Sequence, residues 1–115
     1  MKGAPAPHIT VEPASMRVRV TAGGEVVADS LEALALKEGD YPVVYYFPRK
    51  DVKMSALERT DHRTHCPFKG DASYWSFKGG AKNAVWSYED PYDGMLAIKE
   101  RLAFYKNKVD SIATG

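Results

Sequence analysis

Two glycine pairs, Gly23-Gly24 and Gly79-Gly80, constrain this chain more than any other feature, because each separates two segments rich in β-branched or aromatic residues. Glycine takes up positive φ without steric cost, so such a pair closes a tight turn between antiparallel strands. Before the first turn Met16, Val18 and Val20 alternate with Arg17, Arg19 and Thr21, the period of a half-buried strand, and Glu25-Val26-Val27-Ala28 returns beyond it. Around the second, Ser73 to Lys78 and Asn83 to Tyr88 read as a hairpin with aromatic rings on both strands.

Between the hairpins, Tyr41 to Pro48 is aromatic and β-branched and bracketed by prolines, which reads as a buried strand ending at Pro48. Leu31 to Leu36 fits either a helical face or a strand; the strand is preferred. Arg49 to Thr64 is polar and reads as a connecting segment, with Asp51 placed to cap a short helical turn ahead of Met54 and Leu57. Asp90-Pro91 has the chemistry of a helix start, and Met95, Ile98, Leu102, Tyr105 and Val109 form an apolar stripe at helical spacing. The expectation is an α+β domain, mainly antiparallel β, with one C-terminal helix on a sheet. Residues 1–7 read as a loose arm, 8–110 as one globular domain and 111–115 as a C-terminal tail.

Composition excludes several classes of function. Of 115 residues 16 are basic and 15 acidic, a balance of +1 that gives no field for a nucleic acid polymer. No apolar run approaches the roughly 18 residues of a membrane-spanning helix, and no h-region follows Lys2, so a cytoplasmic chain without membrane contact is expected. The single cysteine, Cys66, excludes an intrachain disulfide and zinc sites of the Cys-x-x-Cys kind. His62, His65 and Cys66, with Asp61 and Asp71 nearby, are too few convergent ligands for an expected metal centre, and no serine sits in a Gly-x-Ser-x-Gly elbow.

Chemistry concentrates between His65 and Asp71, in the order His-Cys-Pro-Phe-Lys-Gly-Asp. His65 and Lys69 are positive groups that can favour a Cys66 thiolate, although neighbours on an extended backbone point to opposite faces; a buried, inert Cys66 is the alternative. Lys69 and Gly70 form a turn in which an ammonium and an uncrowded backbone can seat an anion. Arg49, at the end of the Tyr41 to Pro48 strand, is a candidate for bidentate phosphate or carboxylate binding, or for pairing with Asp51 or Glu58. Alternation puts Trp86 and Tyr88 on one face of the second hairpin and Tyr74 and Trp75 on opposite faces, so two or three of these rings line one wall, as core or as a stacking surface.

Several ordered motifs resemble a known family. Tyr46-Phe47-Pro48-Arg49, the stretch from His65 to Tyr74, Ala84-Val85-Trp86-Ser87-Tyr88 with Pro91, and Leu102-Ala103-Phe104-Tyr105 resemble the bacterial family called domain of unknown function 427, over roughly Ile9 to Val109. The resemblance implies a small β-rich domain of the β-tent type, in which two antiparallel sheets lean together, under a nucleotidyltransferase-like label. No paired carboxylates for two-metal transfer stand out here. The leading expectation is a small-molecule-binding domain, with or without catalysis, for a planar anionic ligand such as a nucleotide, held by Arg49, Lys69, Gly70, Tyr46, Tyr74, Trp86 and Tyr88 beside His65 and Cys66. No cofactor is specified. The alternatives are a protein-interaction module with a structural cysteine, and a thiol-dependent enzyme using Cys66.

Overall fold

In the computed structural model, which describes residues 2–115, ten strands are arranged in three antiparallel sheets. The strands are β1 (Ile9–Pro13), β2 (Val18–Ala22), β3 (Glu25–Ser30), β4 (Leu34–Glu38), β5 (Val44–Tyr46), β6 (Leu57–Cys66), β7 (Gly70–Phe77), β8 (Val85–Ser87), β9 (Ala103–Phe104) and β10 (Ser111–Thr114). Their orders are β1-β4-β5, β10-β2-β3 and β6-β7-β8-β9. The expected pair of sheets is thus three, and among the described residues no helix is long and apolar enough to cross a membrane.

Both glycine-pair hairpins form. Gly23 and Gly24 adopt φ of 59° and 76° and join β2 to β3, with Val18 and Val20 fully buried. In the second hairpin Ser73, Tyr74 and Trp75 pair with Ser87, Trp86 and Val85. Leu31 to Leu36 resolves as strand, beginning at Leu34, and pairs with β5.

The four-stranded sheet is central because β7 is buried along nearly its whole length. Directly opposed residues share a face, so Trp75, Val85 and Phe104 point one way and Tyr74, Trp86 and Ala103 the other. The first set joins Val18, Val20, Val27, Phe47 and Leu102 in one hydrophobic core. The second joins Ile9, Leu36, Tyr46 and Ile98 in another. One sheet therefore serves two cores, and each outer sheet closes over one face.

The expected C-terminal helix is absent. Asp93–Ile98 and Lys106–Lys108 are short 3-10 turns, and β9 and β10 occupy the remainder. Met95, Ile98 and Leu102 are buried as the apolar stripe requires, but Met95 and Ile98 are held in short local turns and the backbone from Glu100 onward is bonded to other segments. Phe47 and Leu102 exchange reciprocal main-chain hydrogen bonds at 2.8 and 2.9 Å, Glu100 N–H donates to Tyr88, and Tyr105 N–H donates to Ala84. Glu100 also has φ of 62°, which a helix cannot contain. Apolar residues at helical spacing are equally served by successive turns that each touch a core. Ser111–Thr114 pairs with β2 instead of trailing as a tail.

The polar segment after Arg49 departs from expectation too. Short turns at Arg49–Asp51 and Met54–Ala56 lead into β6, a ten-residue strand. It lacks an alternating apolar pattern because it is an edge strand whose residues are mostly exposed, so its ladder with β7 defines it and its hydrophobicity does not.

β6 and β7 are joined by Pro67-Phe68-Lys69, and Gly70 starts β7 at φ of 114°. A Cβ there would meet only ordinary contacts, 3.5 Å from Pro91 Cα at the nearest, so backbone conformation and not space demands glycine. Gly70→Ala is expected to cost about 1–3 kcal/mol of unfolding free energy in urea titration; an unchanged midpoint would show that the turn relaxes freely.

Candidate functional site

A cavity of about 890 Å3 opens over the face of the central sheet that carries Tyr74, Trp86 and Tyr88, and extends to residues of β5 and β10. It is lined by Tyr46, Tyr74, Trp86, Tyr88 and Tyr105, with Glu38 and Lys69 also in the lining. Local sequence explains the convergence. Tyr74 and Trp86 are register partners, Tyr88 follows Trp86 by two residues on the same face, and Tyr105 follows Ala103, the partner of Trp86.

The rings are locked to one another. Trp86 and Tyr105 lie 4.5 Å apart, Tyr74 and Tyr105 stack at 6.4 Å, and Tyr46 meets Trp86 edge-on at 6.3 Å. Trp86 Nε1 donates to the Tyr46 hydroxyl at 3.3 Å. The Tyr74 hydroxyl lies 2.9 Å from Thr64 Oγ1 and 3.2 Å from the Tyr105 hydroxyl. Burial pushes the Tyr46 and Tyr88 phenols well above their ordinary range; burial, then the Tyr74 hydroxyl, pushes Tyr105 up to about 12. All three are neutral hydrogen-bonding groups at neutral pH.

Lys69 is 6% exposed, and its ammonium donates to Glu38 Oε1 at 2.6 Å, with Cys66 Sγ at 3.9 Å and His8 Nε2 at 3.8 Å from the other Glu38 oxygen. The cation expected to seat an anion is therefore matched by a carboxylate of β4. Nothing in the sequence around Glu38 signals this pairing. Gly70 contributes backbone geometry and is not part of the lining.

The remaining candidates separate. Cys66 pairs with Gly70 and packs with the core on the cavity side, whereas His65 is on the opposite face, exposed, with Nδ1 2.7 Å from Asp71 Oδ1. No Cys66–His65 pair exists. Arg49 is also across the sheet from the cavity, donating to the Glu100 carbonyl at 2.8 Å and to Glu89 at 3.2 Å, 5.2 Å from the Trp75 ring centroid. Arg59 takes the matching position at 5.0 Å and also binds Glu89. Trp75 thus lies within reach of two guanidinium groups joined by one carboxylate. Tyr105 was hidden within the apparent helical stripe; its motif, Leu102-Ala103-Phe104-Tyr105, was the available signal. Among the described residues no three His, Cys, Asp or Glu side chains gather where a metal ion would be held.

A family model described as a domain of unknown function, DUF427, matches residues 10–115. The chain belongs to the DUF427 family. No curated protein matches it. The family's short label is nucleotidyltransferase-like, but of the two carboxylates in the DUF427 cavity here Glu38 is paired with Lys69 and Asp110 accepts from the Gly24 N–H, which is not the paired-carboxylate pattern that holds a metal-bound triphosphate.

The arginine pair outside the cavity has a measurable electrostatic signature. Hydrogen bonding from Arg59 above all, with help from Ser73 and the charge of Arg49, holds the Glu89 carboxyl at about 2 against burial that opposes it. A depressed folded-state value means stability that is present above the ordinary value of 4.5 and is lost as pH falls toward 2. Because Arg59 is half exposed, the screened contribution is about 1 kcal/mol. The stability difference between wild type and Glu89→Gln, measured by chemical denaturation, is expected to be full at pH 7 and to shrink through that acid window; a pH-independent difference would mean that packing, not charge, holds Glu89.

Proposed function

We propose that this domain binds a small planar organic molecule in the tyrosine-lined cavity, with a ring against Trp86 and Tyr105. The carrying observation is that a single concavity collects Tyr46, Tyr74, Tyr105 and Trp86, whose orientations are fixed by mutual contacts, with Tyr88 beside them, a preorganised apolar wall with a few convergent polar groups. A volume of about 890 Å3 leaves room for a ligand up to nucleotide size. Lys69 is neutralised by Glu38, and the remaining cation of the lining, Lys106, is exposed with no ion-pair partner among the described residues. Any anionic group of the ligand is therefore best placed at the mouth beside Lys106, with the planar part inside.

Thiol catalysis is less well supported, because Cys66 has Lys69 at 3.9 Å while His65 points to the opposite face and no hydrogen bond joins Cys66 to a histidine among the described residues. A protein-interaction role draws on one observation. β5 and β10 are both edge strands, both reach the cavity, and exposed Tyr41 and Val43 lie in its lining, a surface on which an extended segment can lie.

The test is a screen of nucleotides, nucleobases and planar aromatic acids by thermal shift and by tryptophan fluorescence. A true ligand raises the melting temperature, perturbs the emission, and binds Trp86→Leu about tenfold or more weakly, the loss expected when one stacking wall of 1–3 kcal/mol is removed. Absence of stabilisation by every compound class would remove the support for this reading.

A further inference from the structure

Tyr88 is 8% exposed, yet its hydroxyl has no hydrogen-bond partner among the described residues. It is also not one of the sealed polar atoms without a hydrogen bond, which among the described residues are Arg19 Nε, 3.5 Å from Asp29, and Ser87 Oγ. A hydroxyl that is neither paired nor sealed, on a residue lining the cavity, opens into that cavity. Tyr46, within electrostatic reach of Tyr88, accepts from Trp86 Nε1 and keeps its own proton for donation. Of the other phenols in the lining, Tyr74 and Tyr105 bond to each other and Tyr74 to Thr64, while Tyr41 is exposed and Tyr45 half-buried, so neither has a buried hydroxyl that needs a partner.

We infer that this end of the cavity recognises an uncharged planar carbonyl group through the hydroxyls of Tyr88 and Tyr46, with Tyr88 as the specificity-determining residue. The inference rests on the small-molecule reading above and narrows it to a ligand class. Two donors without acceptors call for a ligand acceptor, because a buried hydroxyl left unmatched is costly and a carbonyl oxygen has two lone pairs to receive both. Charge decides between a carbonyl and a carboxylate or phosphate. The nearby cation, Lys69, is bound by Glu38 at 2.6 Å, so an anion moved to this end loses its hydration and meets no net positive charge. A neutral amide or ketone escapes that penalty. Burial keeps both phenols protonated, so they remain donors through the neutral range.

The full chain is titrated with 2-naphthamide and with 2-naphthoate, planar probes of nearly identical shape that differ in charge, using wild type, Tyr88→Phe and Tyr46→Phe. The expected result is tenfold or tighter preference of wild type for the amide, and a five- to tenfold loss of amide affinity in Tyr88→Phe, about one neutral hydrogen bond. Because the Tyr88 hydroxyl has no partner in the fold, Tyr88→Phe should melt at the wild-type temperature, separating recognition from stability. Tyr46→Phe should lose affinity while also giving up its bond to Trp86. Equal or tighter binding of naphthoate, or amide affinity unchanged in Tyr88→Phe, overturns the inference and leaves the cavity reading standing. Failure of both probes together with an empty wider screen overturns both.

Discussion

Two-fold alternation along β7 is the constraint on which the rest of the molecule depends. An eight-residue strand buried on both sides has to divide its side chains between two environments, and Gly70–Phe77 sends Trp75 and Phe77 into one core and Ala72 and Tyr74 into the other. The outer sheets are short and cover one face each. A one-residue slip of β7 against β8 would exchange the two sets, placing Trp75 in the cavity and Tyr74 in a core with no partner for its hydroxyl. Register at the second hairpin therefore fixes both the packing and the composition of the cavity wall.

Much of this was legible in the sequence, and the omissions have physical causes. Both hairpins were readable because glycine pairs and period-two alternation are local signals; the same alternation put Trp86 and Tyr88 on one wall, and the register between β7 and β8 decides that Tyr74 and not Trp75 joins them. β6 was not readable because an exposed edge strand has no reason to alternate. Residues 90–109 misled because Met95, Ile98 and Leu102 bury at helical spacing while the main chain of Glu100, Leu102 and Tyr105 is held by Tyr88, Phe47 and Ala84, the last two remote in sequence. Tyr105 was lost from the candidate site with them. Arg49 was assigned to the ligand because its destination depends on how far the chain turns after Pro48, which the turn at Arg49–Asp51 decides.

Charge is handled inside the molecule. Lys69 is matched by Glu38, Arg49 and Arg59 share Glu89, and Arg17 is matched by Asp29, so several of the charges behind the near-zero formal balance are held in ion pairs. The pairing also explains why a motif that looked like an anion-seating turn is a structural tie. Lys69 fastens the β6–β7 turn to β4, and its charge is matched by Glu38 where both border the cavity.

The pairing of β10 with β2 has a bearing on how the chain reaches this fold. Ser111 meets Thr21 across most of the sequence, while β2 and β3 are joined by a two-glycine turn and can associate locally. Such long-range closure slows folding, because the entropy of the intervening loop is surrendered before the contact rewards it. Until β10 arrives, one side of β2 has unpaired amides and carbonyls beside Val18 and Val20, a surface prone to pairing with another chain during synthesis or refolding. β10 also borders the cavity, so the wall of that cavity is complete only once Ser111–Thr114 has paired with β2.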